Sequence, residues 1–264
     1  MELDGKLAVI TGAGSGIGRS LAVRFVASGA RHVVCTDRDV ENAAATASMI
    51  GDAASSAHLD VADEQAIERL VKDVESEHGG IDVFVSNAGY GRGGGLDLAT
   101  DVWRDMMTVH TWSHLAAARA VIPGMVERGG GYLLNTASAA GLLTQMDSGP
   151  YAVSKHAAVA FAEWVLINYA DQGIGVSVLC PQAVRTNIMG PDAGRPPSDS
   201  ARQAAGDGIL EPDFVADACI RAMRDEQFLV LPHAEVETYF QRKANDYDRW
   251  LLGMRRFRQR LMGN

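Results

Sequence analysis

Short apolar runs alternate with amphipathic helical segments along most of this chain, and that alternation constrains the fold more than any other feature. Runs at 7–11, 32–37, 81–86, 132–136 and 175–180 are rich in β-favouring residues; a weaker one ends at His58-Leu59-Asp60-Val61, and a last one covers 228–231. Helices are predicted over 17–28, 40–50, 63–77, 102–127, 151–170 and 213–224. The clearest is 63–77, where Ile67, Leu70, Val71 and Val74 fall at i, i+3, i+4 and i+7 and Gly79-Gly80 follow the end. A strand, a helix and a second strand running the same way require a crossover. Repeated, that unit builds a parallel sheet covered on both faces. The strands are apolar throughout, as strands buried on both faces must be. The expectation is a doubly wound α/β fold in a single domain over 1–264.

Two regions break the rhythm. Residues from about 187 to 210 are rich in Gly, Pro, Ser and Asp without periodicity, and a connection that long inside a compact domain reads as a lid. A charged C-terminal helix is expected over about 235–262, carrying the basic run Arg255-Arg256-Phe257-Arg258-Gln259-Arg260. In a chain of net charge −9, that run reads as a face packed on another subunit or on the lid, rather than as a membrane anchor. The acidic balance also argues against a nucleic-acid partner, since phosphate contacts need a basic surface. Cys35, Cys180 and Cys219 have no metal-ligand spacing and read as reduced core thiols, and the histidines show no ligand pattern, so no metal site is expected. With no signal-like N-terminus and no apolar stretch of membrane-spanning length, a cytoplasmic location is expected.

Gly12, Gly14, Gly16 and Gly18 join the first strand to the first helix, in the spacing Gly12-x-x-x-Gly16-x-Gly18. Glycines let the backbone approach a pyrophosphate, and the free N–H groups of the helix that follows stabilise its charge. Ser15, Ile17 and their neighbours would cradle the phosphates. Asp37, about 20 residues on at the end of the second strand, can accept hydrogen bonds from a ribose. A 2′-phosphate there would meet a like charge, which favours NAD over NADP. Ser15, in place of a basic residue, agrees, and Arg38 works the other way. The alternative for Asp37 is a helix cap.

Tyr151 and Lys155 are one helical turn apart, so phenol and ammonium share a face. A neighbouring cation favours the phenolate and suits the tyrosine to take a proton from an alcohol or give one to a carbonyl. Ser138 follows a strand at the edge where α/β sheets bind ligands, and its hydroxyl could hold the substrate oxygen.

Thr11-Gly12-x-x-x-Gly16-x-Gly18, Asp60-Val61, Asn87-Ala88-Gly89, Ser138 and Tyr151-x-x-x-Lys155 together resemble the short-chain dehydrogenase/reductase family, over nearly the whole chain to about residue 231. The resemblance implies a Rossmann-type sheet of seven strands in a homotetramer or homodimer. It implies that Asp60 and Val61 contact the adenine, that Asn87, Ala88 and Gly89 line the cofactor cleft, and that Lys155 also bonds the nicotinamide ribose. Pro181 to Thr186 would meet the carboxamide, Val184 through its backbone and Thr186 through its hydroxyl. Two positions depart from the family pattern. His110 stands where an asparagine is usual and is a candidate proton relay, or else a satisfied structural residue. Gln182 stands where Pro-Gly is usual.

The expected activity is hydride transfer between NAD(H) and a secondary alcohol or ketone, with Tyr151 as acid/base. Leu142, Leu143, Met146, Ile188 and Met189 suggest that the small-molecule substrate is hydrophobic. The rivals are a nucleotide-sugar epimerase or dehydratase, which usually carries a different glycine spacing, and a sensor or scaffold that binds a dinucleotide without turnover.

Overall fold

The computed structural model describes residues 1–189 and 205–261, apart from the side chains of Met189 and Leu261. Seven parallel strands form one sheet: β1 (Leu7–Thr11), β2 (His32–Asp37), β3 (Ala54–His58), β4 (Val83–Ser86), β5 (Gly131–Thr136), β6 (Ile174–Leu179) and β7 (Leu229–Val230). Their order is β3-β2-β1-β4-β5-β6-β7, so the chain reverses its direction of travel across the sheet between β1 and β4. Crossovers leave on opposite sides of that switch point and open a crevice at the carboxyl ends of the strands. The register pairs Val9 with Val34 and Phe84, and Val85 with Leu134.

Helices cover both faces, as expected. One core layer gathers Leu7, Val9, Phe84, Leu133 and Val178 against α3 (Glu64–His78), α5 (Ser113–Glu127) and α7 (Gly149–Tyr169). The other gathers Ala8, Ile10, Val83, Val85 and Leu134 against α1 (Gly16–Ala27) and α8 (Pro212–Arg224), with α2 (Val40–Ile50) packed on β2 and β3. Alternate residues of one strand thus feed different layers, because side chains alternate across a sheet. Helix α3 shows how closely pattern and structure agree. Ile67, Leu70, Val71 and Val74 are its buried face, and Asp63 caps it by accepting the Ala66 N–H at 3.1 Å.

Departures from expectation have local causes. The helix expected over 102–127 is α4 (Thr100–Met107) and α5 joined by one π-helical turn at Thr108–Trp112, which holds His110. Helix α7 begins two residues before Tyr151 because Pro150 supplies a preformed first turn. The single C-terminal helix expected over 235–262 is two, α9 (Glu235–Asn245) and α10 (Tyr247–Leu261). Asp246 is extended between them (φ −152°), and its side chain accepts the Arg249 N–H at 3.0 Å, starting the second helix. A short helix, α6 (Ala140–Leu143), follows Ser138 unforeseen. Most of the expected lid, 190–204, lies outside the described residues. Among the described residues no helix is long and apolar enough to cross a membrane.

Candidate active site

The crevice at the switch point holds a cavity of about 1320 Å³. Its nucleotide end is built on the turn after β1. Gly12 (φ +67°) and Gly16 (φ +51°) occupy left-handed backbone that a side chain would strain, and a Cβ on Gly16 would stand 2.7 Å from Thr186. Ser15 precedes α1 without a side-chain capping bond, so the first N–H groups of that helix are left to a ligand. Gly12, Ser15, Gly16 and Ile17 line the cavity as expected; Gly18 does not. A Cβ there would lie 2.1 Å from the Gly12 carbonyl oxygen, so Gly18 serves the packing of helix on turn. Gly14, which lies outside the Gly12-x-x-x-Gly16-x-Gly18 spacing, also lines the cavity.

Asp37 reaches the same end. It accepts the Gly14 N–H and the Asp39 N–H, each at 3.0 Å, and so is aimed at the turn. The capping alternative falls to its neighbour: Asp39, which accepts the Asn42 N–H at 3.2 Å, starts α2. Arg38, Asp60 and Val61 line the wall beside it, with Asp60 held by the Ala62 N–H at 2.9 Å.

Asn87, Ala88 and Gly89 form the floor. Asn87 ties three strand ends together: its side chain donates to the Thr11 carbonyl at 3.0 Å and accepts from the Thr136 hydroxyl at 3.2 Å. Thr11 in turn accepts the N–H groups of Asn87 and Ala88. Pro181, Gln182, Val184 and Thr186 form the opposite wall, with the Thr186 hydroxyl donating to the Val184 carbonyl at 3.3 Å.

Ser138, Tyr151 and Lys155 meet in this cavity. Lys155 is 3% exposed, and its ammonium lies 5.8 Å from the centre of the Tyr151 ring and donates to the Thr136 carbonyl at 2.9 Å. Burial pushes its pKa down to about 8. Burial raises the Tyr151 phenol above its ordinary value, while a hydrogen bond with the Ser138 hydroxyl pulls the other way. Ser138 itself accepts the Ala140 N–H at 3.1 Å, which fixes the hydroxyl over the start of α6.

His110 stands behind this group rather than in the cavity. It is fully buried, with its ring edge-on to Tyr151 at 5.5 Å between centres. Its Nε2 accepts the Tyr90 N–H at 3.1 Å, which places the ring proton on Nδ1, 3.0 Å from the Ser154 hydroxyl. Ser154 donates in turn to the Tyr151 carbonyl at 2.9 Å. Burial, with the Lys155 charge adding to it, holds the imidazole well below its usual pKa and therefore neutral.

Of the residues expected to face substrate, Leu143, Ile188 and Gln182 line the cavity. Leu142 instead packs into the core, and Met146 is half-buried away from the lining. The side chain of Met189 lies outside the described residues. Sequence reasoning missed Tyr239, Arg242, Trp250, Met254, Phe257 and Arg260, which the C-terminal helices bring to the cavity from far along the chain. The one available signal was the spacing of Trp250, Met254 and Phe257 on a single helix face. Cys35, Cys180 and Cys219 are buried free thiols, and among the described residues no cluster of His, Cys, Asp and Glu could hold a metal.

A parallel sheet with its crevice at the switch point, a glycine turn whose helix leaves its N–H groups free, and an acidic residue at the end of β2 define a Rossmann-type dinucleotide-binding protein. The chain belongs to the short-chain dehydrogenase/reductase family, whose short chain dehydrogenase model matches residues 6–194. It is 31% identical over 253 residues to the 1-deoxy-11-beta-hydroxypentalenate dehydrogenase of Streptomyces exfoliatus, covering 93% of this chain and 90% of that one. A short-chain dehydrogenase/reductase from Burkholderia phymatum, solved in complex with NAD, superposes with a TM-score of 0.84 at 30% identity, over 94% of this chain and 96% of the other. A 3-ketoacyl-(acyl-carrier-protein) reductase from Brucella melitensis, complexed with NADH, gives 0.78 at 27% identity over 87% and 96%.

Proposed function

We propose that this protein transfers a hydride between NAD(H) and an apolar secondary alcohol or ketone, with Tyr151 as the acid/base. The observation that carries this reading is that Ser138, Tyr151 and Lys155 line one cavity with the glycine turn. Such a shared cavity is what turnover needs and what a dinucleotide sensor or scaffold does not.

When bound, NAD(H) supplies the hydride acceptor or donor. Gly12, Gly14, Ser15, Gly16 and Ile17 hold its pyrophosphate, Asp37 its adenine ribose, and Asp60 and Val61 its adenine. Asn87, Ala88 and Gly89 form the floor of its cleft, while Lys155, Pro181, Val184 and Thr186 hold the nicotinamide half. Asp37 already receives two backbone N–H groups and keeps lone pairs for two ribose hydroxyls. It would repel a 2′-phosphate, which favours NAD.

In oxidation, Ser138 holds the substrate oxygen, Tyr151 takes its proton, and the Lys155 ammonium stabilises the phenolate. Burial opposes phenolate formation, so the lysine has a cost to offset. His110 is a positioning residue: through Ser154 it fixes the Tyr151 backbone at the start of α7. Exposed Trp112, Val153 and Trp164 support assembly with further copies of this chain, as a homotetramer or homodimer in the cytoplasm.

Turnover of a panel of secondary alcohols, followed by NADH absorbance, tests the reading. Tyr151→Phe should lower it by about 10²- to 10⁴-fold. A variant that turns over like the parent would remove the phenol from the chemistry.

A further inference from the structure

The substrate end of the cavity is roofed by the chain's last two helices, and its chemistry is specific. Helix α9 is tied to α6 by Lys243, a buried lysine whose ammonium donates to the Leu142 carbonyl at 2.5 Å. Because α6 directly follows Ser138, this bond sets α9 beside the reacting groups, and Trp250 in the first turn of α10 packs against the same core layer as Leu142 and Leu143. From there Tyr239, Trp250, Met254 and Phe257 face the cavity, together with Leu143 and Ile188 from the body of the fold. Trp250, Met254 and Phe257 are spaced i, i+4 and i+7, so they form one half-buried stripe of α10.

Two cations interrupt this apolar wall. Arg242 of α9 and Arg260 of α10 both line the cavity, in a chain of net charge −9. Among the described residues neither is in an ion pair. Asp207, a carboxylate that also lines the cavity, accepts from the Tyr239 hydroxyl at 3.0 Å. Two guanidinium groups that line this cavity from two different helices, neither neutralised by a carboxylate in an ion pair among the described residues, favour an anion there. A carboxylate suits their planar donor geometry.

We propose that the substrate is an apolar alcohol or ketone carrying a carboxylate remote from its reacting carbon, held by Arg242 and Arg260. Its carbon frame lies on Trp250, Met254 and Phe257, and its hydroxyl or carbonyl meets Ser138 and Tyr151. The proposal rests on the oxidoreductase reading for the reacting end only; the charged end can be tested without turnover.

The probes are 4-cyclohexylbutanoate and its neutral amide, titrated calorimetrically into the protein with and without saturating NADH. The acid is expected to bind at least tenfold more tightly than the amide. Arg242→Gln and Arg260→Gln should each weaken the acid several-fold, and together bring it to the amide's affinity. Added salt should narrow the gap, since the arginines are exposed. Both substitutions sit on exposed side chains, and unchanged circular dichroism would confirm that the fold survives. Equal affinities for acid and amide, no binding of either, or a preference that outlives both substitutions would overturn the proposal. Failure of the hydride-transfer reading would show elsewhere, as absent turnover with the acid's preference intact.

Discussion

Lys155 shows most clearly how burial is turned to chemical use. Its pKa, pushed down to about 8 from an ordinary 10.5, keeps it mostly charged near neutrality but readily discharged above it. The shift has a sign that can be measured. Between about pH 8 and 10.5 the unfolded chain keeps the lysine's proton and the folded chain does not, so raising the pH favours folding. The unfolding free energy of the native protein, relative to Lys155→Met, should therefore be flat below pH 8. It should then climb by about 1.4 kcal/mol per pH unit up to 10.5. Denaturant titrations of both proteins across that range would show it; a falling difference would contradict the burial argument. Asp37 governs a different choice. Asp37→Ser removes the charge that opposes a 2′-phosphate and leaves Arg38 beside the site, so the NADPH-to-NADH ratio of kcat/KM should rise at least about tenfold, or about 1.4 kcal/mol. Both positions are legible in the sequence, one by its spacing from Tyr151 and the other by its distance from the glycines. The bond from His110 through Ser154 to the Tyr151 carbonyl is not legible, because its partners lie 44 positions apart.

At the scale of elements, local signals predict helices well where a cap and a buried face agree, as in α3, and poorly where tertiary contacts decide. The π turn at Thr108–Trp112 inserts one residue into an otherwise continuous helix and carries His110 inward; amphipathic spacing alone reads straight through it. The turn between β1 and α1 is the opposite case, specified by glycines whose steric reason is now visible. Gly18→Ala would place a Cβ 2.1 Å from the Gly12 oxygen, and backbone cannot yield as a flexible side chain can. The variant should lose about 1–3 kcal/mol of stability and most of its affinity for NADH, measurable by thermal melting and nicotinamide fluorescence. An intact NADH titration would show that the turn tolerates the methyl group.

For the whole molecule, the two core layers on either side of the sheet seal every cysteine. Burial raises Cys35, Cys180 and Cys219 to about 12, so none is a thiolate at physiological pH. A disulfide-exchange reagent at pH 8 should release nothing from the native protein within minutes and three equivalents in guanidinium, the number the chain contains. Prompt release from the native state would mean that the layers open more readily than their packing suggests.

The doubly wound architecture, by contrast, is a long-range property that local signals made legible, while the strand order itself came from the structure. The alternation of apolar runs with helical periods, together with the handedness of crossovers, was enough to specify a doubly wound parallel sheet and to put the glycine turn, Asp37 and Ser138 at strand ends, while helical spacing paired Tyr151 with Lys155. These depend on spacing within one element or across one crossover. Tertiary structure alone decided that Gly18 packs against the turn instead of lining the cavity, that His110 retires behind Tyr151 with both nitrogens engaged, and that α9 and α10 roof the substrate end. The first is a steric fit between residues only six positions apart, which spacing does not report; the other two turn on surfaces that meet far along the chain, as His110 meets Ser154 across 44 positions and Lys243 meets Leu142 across 101. A periodicity of 2 or 3.6 residues carries no information over such a distance.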